Sequence, residues 1–163
     1  MSGKGGIYLR IVVTSDSHRD SRRFFKVIDR HIKNAAIFID LGDSENEVDM
    51  LEMLRPGVVM KNVRGNNDWS STAPNEQLIT FDGKKIFFTH GHGYHVKYGY
   101  GEIIRRAREQ GADICLFGHT HTPYFEIVDG LYVMNPGAIC ENSYGIIDIE
   151  KSGIMAYTTK VDN

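Results

Sequence analysis

Cysteine is scarce: only Cys115 and Cys140 occur in 163 residues, too few for a disulfide framework. A reducing, cytoplasmic setting is therefore expected. Cys115 sits in an apolar run, residues 114–117, and reads as a buried strand residue. Basic excess is missing as well. The formal net charge is −2, which argues against a protein that coats nucleic acid or lies on a membrane surface, since both need surplus Lys and Arg. It does not exclude a phosphate-bearing ligand, because bound cations would reverse the local sign. No run approaches the roughly 18 apolar residues of a membrane helix. Residues 1–6 are short and Gly-rich, and Arg10 interrupts residues 7–13, so no secretory signal is expected. No linker, repeat or low-complexity segment appears. Residues 1–163 therefore read as a single domain, long enough to bury its own core.

What is present alternates between strand and helix. Residues 7–14 form a β-branched run typical of a buried strand. Residues 22–32 place Phe24, Phe25, Ile28 and Ile32 at helical spacing, with Asp20 or Ser21 as cap. Residues 36–40 read as a second strand. Ser44 and Glu47 form an S-x-x-E capping box, and the helix it opens carries Val48, Leu51 and Leu54 before Pro56-Gly57 stops it. Residues 58–63 read as a third strand, and this order implies a parallel sheet with right-handed crossovers. The second half contains two hairpin signals, Asp82-Gly83 between residues 77–81 and 85–89, and Asp129-Gly130 between residues 124–128 and 131–135. A helix over residues 102–110 ends at Gly111, and residues 113–117 form another buried strand. Residues 143–149 and 154–159 make a last pair around Lys151-Ser152-Gly153. The expected fold is α/β: a four-layer α/β/β/α sandwich of two mixed sheets flanked by helices.

Asp, His and Asn cluster just after these strands. Asp16-Ser17-His18 follows the first and Gly42-Asp43 the second. Gly65-Asn66-Asn67-Asp68 follows the third, Thr89-His90-Gly91-His92 the second strand of the first hairpin, and Gly118-His119-Thr120-His121 the strand of residues 113–117. Ligands of open α/β sheets bind past the carboxyl ends of strands. In extended backbone, residues i and i+2 point the same way, so Asp16 with His18, and His119 with His121, are expected to deliver paired ligands to one side. The adjoining glycines permit tight turns and close backbone approach.

The order D-x-H, G-D, G-N-x-D, T-H-G-H, G-H-x-H resembles the calcineurin-like metallophosphoesterase superfamily. The short chain and its GNND motif look like the small bacterial and archaeal phosphodiesterase branch. The resemblance implies that Asp16, His18 and His121 hold one divalent metal and Asn66, His90 and His119 a second, with Asp43 bridging both. Mixed imidazole and oxygen donors suit Mn, Fe, Ni, Zn or Co, with Mn the expected choice. Two cations ~3.5–4 Å apart would make hydroxide from water near neutral pH and neutralise charge growing on phosphoryl oxygens. No covalent enzyme intermediate is required, and neither a G-x-S-x-G elbow nor a P-loop motif is present.

Two departures stand out. Many members carry His where this chain has Asn67, and that His is the group thought to protonate the leaving oxygen. An amide cannot do this, though it can hydrogen-bond a phosphate oxygen. Asp68, the usual partner of that His, has no imidazole to orient. Arg19 replaces the Gly that commonly follows the first motif and is expected to point to solvent, with a phosphate contact as the alternative.

His92 lies two residues beyond His90 and is read either as a substrate-binding or proton-donating group or as support for the ligands. His31 is expected partly exposed on its helix, His95 at the surface, and Asp49 and Glu52 on a solvated helix face. Tyr94, Tyr98 and Tyr100 line a Gly-rich loop, read as packed aromatics or as a cleft wall. Trp69 is expected to pack beneath the third loop, with an open, base-stacking position as the alternative. The function implied is hydrolysis of a small phosphodiester in an open cleft, with neither membrane nor nucleic acid as partner and with homo-oligomerisation suggested by the family alone. Alternatives are a phosphomonoesterase or nuclease on the same centre, or a metal-poor scaffold like the retromer subunit of this architecture.

Overall fold

The computed structural model describes residues 7–163, and the Gly-rich stretch of residues 1–6 lies outside them. One sheet has the order β10-β9-β1-β2-β3, built from β1 (Leu9–Thr14), β2 (Ala35–Asp40), β3 (Met60–Asn62), β9 (Ser143–Glu150) and β10 (Gly153–Lys160). The second has the order β4-β5-β6-β8-β7, from β4 (Glu76–Phe81), β5 (Lys84–Thr89), β6 (Ile114–Leu116), β7 (Tyr124–Val128) and β8 (Leu131–Asn135). β1, β2 and β3 run parallel, as do β5, β6 and β8, while the outer pairings are antiparallel. Both sheets are mixed, as the sequence implies. The hairpin turns fall at Asp82-Gly83 and Asp129-Gly130, where all four residues adopt positive φ.

The central core lies between the sheets, where Ile11, Val13, Ile37 and Ile39 face Ile86, Phe88, Ile114 and Leu116. Strands covered on both faces read as continuous apolar runs because neither face meets water. The outer face of the first sheet packs Val12, Phe38 and Ile146 against α1 (Ser21–His31) and α2 (Glu45–Leu54). The outer face of the second packs Phe87, Cys115 and Val133 against Ile103 and Ala107 of α3 (Gly101–Glu109). This gives the four layers expected.

Four local expectations are corrected. Asp20 caps α1, its side chain accepting from the Arg23 N–H, but the helix ends at His31, and Ile32 is the C-cap and 40% exposed. His31 is buried at 7% exposure, and its Nε2 lies 2.9 Å from the Tyr144 hydroxyl, a partner that sequence spacing does not show. Ser44 is the N-cap of α2 but makes no capping hydrogen bond with its side chain. Its Oγ instead accepts from the Ser17 N–H at 3.3 Å, and buried Glu47 accepts from Ser17 Oγ at 2.6 Å and Ser21 Oγ at 2.8 Å. The capping-box residues thus tie α2 to the loop after β1 rather than to each other. Trp69 does not pack; it is 81% exposed.

Candidate metal centre

The site forms where the loops after β1, β2, β3, β5 and β6 meet. Backbone pairing of β1 with β2 continues past the strand ends through Leu41 N–H to Thr14 O (2.9 Å), Asp16 N–H to Gly42 O (2.9 Å) and His18 N–H to Asp43 O (3.1 Å). The sheets are joined here as well, since His119 N–H donates to Asp16 Oδ2 at 3.1 Å; within the second sheet, Gly118 N–H donates to His90 O at 2.9 Å.

Asp16, His18, Asp43, His119 and His121 all have φ between 43° and 69°. The backbone is left-handed at each, so the extended-strand argument for paired ligands is corrected. The pairs do converge, but through five non-glycine residues in a sparsely populated region of φ/ψ space. Such conformations persist only where the surroundings hold them, and they cluster at functional sites. Glycines give the backbone close access, as expected. A Cβ on Gly65 would lie 2.1 Å from Asp43 Oδ1, and one on Gly118 would lie 2.1 Å from Ser15 Oγ.

Asp16 Oδ1 is buried and has no hydrogen-bond partner among the described residues. It lies 3.2 Å from His121 Nε2, 3.4 Å from His18 Nε2 and 3.9 Å from His90 Nε2. Asp43 Oδ2 lies 3.3 Å from His90 Nε2 and 3.7 Å from His18 Nε2. His90 Nε2 is also 3.0 Å from Asn66 Oδ1 and 3.2 Å from His119 Nδ1. All seven residues singled out as ligands therefore meet. Asp16, His18 and His121 form one tight group, and Asp16, Asp43 and His90 form another beside it. His90 Nδ1 donates to Leu41 O at 2.7 Å, which leaves Nε2 as the ring nitrogen turned inward, able to serve as a ligand once its proton is displaced.

The charges agree with this geometry. Burial alone would raise the Asp16 carboxyl, but the imidazoles of His121 and His18, the charge of His90 and the Ser15 hydroxyl hold it well below the carboxylate range. His18 and His121 are raised, chiefly by Asp16. Burial opposes protonation of His90, and Asp43 and Asp16 outweigh it. Burial and the charge of His90 push His119 down to about 4, so it offers a neutral imidazole. This donor set fits divalent cations. A buried carboxylate oxygen without a donor is costly, and a cation among these nitrogens and oxygens would satisfy it while displacing the imidazole protons.

Other residues support the centre. Asn67 donates to Asp43 Oδ1 through its backbone N–H (2.8 Å) and to Oδ2 through Nδ2 (2.9 Å). Asp68 is buried, and its carboxylate accepts the N–H groups of Gly65 (2.7 Å), Asp43 (2.8 Å) and Glu45 (3.2 Å). His92 packs 5.4 Å, centroid to centroid, from His90 and 6.2 Å from His119, and its buried Nδ1 has no partner among the described residues. His95 is exposed and pairs with Glu102 at 3.1 Å. Tyr100 stacks near Phe117 and Tyr124, Tyr94 bonds Glu76, and Tyr98 is exposed.

Asn135 and Asp40 brace the site although neither belongs to the five clusters. Asn135 Nδ2 donates to Gly118 O at 3.0 Å and to Thr120 Oγ1 at 2.9 Å, fixing the loop between His119 and His121. Asp40 is buried and accepts from Thr14 Oγ1 (2.7 Å) and the Gly42 N–H (2.9 Å), bracing the turn to Asp43. A polar residue ending an apolar strand was the available signal for both. Beside the centre lies an open cleft of about 640 Å³ whose lining includes His18, Arg19, Asp43, Asp49, Asn67 and Trp69.

Fold and site together define a metal-dependent phosphoesterase architecture, and the chain belongs to the calcineurin-like phosphoesterase superfamily, whose domain matches residues 9–152. It is 33% identical over 148 residues to the probable metallophosphoesterase YsnB of Bacillus subtilis, spanning 87% of this chain and 85% of that one. It is 29% identical over 166 residues to the phosphodiesterase MJ0936 of Methanocaldococcus jannaschii, spanning 88% and 95%. Among solved structures, a predicted phosphoesterase of Streptococcus pneumoniae superposes with a TM-score of 0.81 at 28% identity, over 96% of this chain and 92% of that one. Vacuolar protein sorting 29 of Cryptosporidium parvum shares the fold, with a TM-score of 0.72 at 15% identity over 94% and 97% of the two chains.

Proposed function

We propose that this chain hydrolyses phosphodiesters at a dinuclear metal centre. The observation that carries the reading is the buried, unpartnered Asp16 Oδ1 set among three imidazole nitrogens and beside Asp43. Asp16, His18 and His121 would hold one ion, Asn66, His90 and His119 the other, and Asp43 both. Manganese suits this mixture of imidazole and oxygen donors. When bound, such ions supply a hydroxide nucleophile at neutral pH and offset charge growing on the phosphoryl oxygens.

The chain's own groups do the rest. His90 is fixed in one tautomer by Leu41, and Asn67 orients both oxygens of Asp43. Asp68 holds the Gly65–Asp68 turn against the start of α2, so that Asn66 faces the centre. To His92, whose buried Nδ1 has no partner among the described residues and whose pKa is lowered by burial and by His90, we assign the role of holding or passing a proton. The open cleft fits small diesters in a cytoplasmic protein whose two thiols are both free. A scaffold without metal is not favoured by a complete ligand set.

A screen of metal-stripped, full-length protein reloaded with Mn, Ni, Zn or Mg tests the reading. Activity is expected on bis-aryl phosphates above that on aryl monoesters, with Mn among the activating ions. Inactivity with every ion, or exclusive monoester cleavage, would overturn it.

A further inference from the structure

Trp69 is the single tryptophan of the chain and lies 81% exposed on the wall of the cleft beside the metal centre. Its exposure does not come from a loose loop. On one side Asp68 is locked by three backbone N–H donors, among them that of Glu45. On the other, the Ser70 N–H donates to Glu45 Oε2 at 3.4 Å, and the Ser71 N–H donates to Asp68 O at 3.4 Å. A large aromatic ring held open to water on anchored backbone, lining an open cleft, is the arrangement of a stacking platform.

The rest of the lining narrows the ligand. Around Trp69 stand the carboxylates of Glu45 and Asp49, with Arg19 as the one guanidinium. Carboxylates at this rim repel further phosphates while tolerating, or accepting hydrogen bonds from, a neutral aromatic group bearing amines. A polynucleotide track would need the opposite charge.

We infer that Trp69 is a specificity-determining residue that stacks on the flat aromatic group, a nucleobase or aryl ring, of a small, singly charged phosphodiester whose phosphate sits at the metal centre. This deepens the proposed phosphodiesterase reading and rests on it. Being the sole tryptophan, Trp69 also reports its own contacts through intrinsic emission.

The test uses the full-length, metal-loaded protein with two probes of equal charge, adenosine 3′,5′-cyclic phosphate and dimethyl phosphate. The cyclic nucleotide is expected to quench Trp69 emission saturably, and dimethyl phosphate at the same concentrations is not. Trp69→Ala is expected to raise KM for bis-(4-nitrophenyl) phosphate by about tenfold with kcat changed much less, and Trp69→Phe to restore most of the loss. A ten-residue deoxyadenylate strand is expected to compete no better than the mononucleotide. Equal quenching by both probes, an unchanged KM in Trp69→Ala, or tight binding of the strand overturns the inference. Absence of any diester turnover alongside selective quenching would instead strike the hydrolytic reading and leave the stacking site standing.

Discussion

Asn67 grips Asp43 at both oxygens, through its backbone N–H at 2.8 Å and its side-chain amide at 2.9 Å. The residue that replaces an imidazole in this family's pattern is therefore an orienting group for a carboxylate, with one of its two side-chain amide hydrogens committed to Asp43. It has no proton to give a departing alkoxide. Rates should then depend steeply on the leaving group: diesters releasing 4-nitrophenol should exceed matched alkyl diesters by roughly 100-fold or more, the usual contribution of a general acid. Asn67→His should flatten that dependence. A Brønsted series under conditions where chemistry limits turnover checks both statements.

Asp68 is the second consequence. It occupies the position of a catalytic partner, yet its carboxylate is spent on the N–H groups of Gly65, Asp43 and Glu45. Asp68→Ala strands three donors, two of them buried with the ligand loops. Urea unfolding should show a loss of roughly 3 kcal/mol, and metal affinity should fall with it. A variant that keeps its stability but loses activity would assign Asp68 to chemistry instead.

Asp40 gives the fold a pH dependence. Burial pushes its pKa up from 3.8 to about 7, despite the hydrogen bonds from Thr14 and Gly42. The folded state then keeps a proton that the unfolded chain has released. Between about pH 4 and pH 7 the native state binds more protons, so this group's contribution to stability falls as pH rises and levels off above pH 7. His31, lowered chiefly by burial, acts in the other direction and weakens the fold as pH drops below 6.5. Comparing thermal midpoints of Asp40→Asn with the parent from pH 4 to 8 isolates the first effect. The difference between the two should grow in the variant's favour as pH rises.

Much of this architecture was legible because its signals are local. Apolar β-branched runs ending in Asp or Gly, and Asp-Gly turns between alternating segments, place β7 and β8 at the residues expected from sequence and β5 within a residue. The five clusters of Asp, His and Asn follow their strands for the same reason. What was not legible depends on partners far along the chain. Glu47 looked like half of a capping box, and only the approach of Ser17 and Ser21 shows why it is buried. His31 looked half exposed because Tyr144, its partner, belongs to β9. Trp69 looked like a packing residue because hydrophobicity alone cannot tell a ring that fills a core from one held over a cleft. The left-handed backbone at Asp16, His18, His119 and His121 is likewise invisible to a strand-period argument, since it is imposed by cross-loop hydrogen bonds rather than by side-chain alternation.

Asp43 faces both halves of the site, 3.3 Å from His90 and 3.7 Å from His18. Asp43→Ala should lower kcat/KM on bis-aryl phosphates by more than about 100-fold, beyond the usual effect of losing an outer supporting residue. Equilibrium dialysis of the variant should show the second ion lost before the first.

The most direct measurement is the metal content and anomalous scattering of the full-length protein crystallised after loading with manganese. Two ions per chain, roughly 3.5–4 Å apart with Asp43 between them, are expected. A single ion, or none, with Asp16, Asp43 and His90 intact would contradict the dinuclear centre.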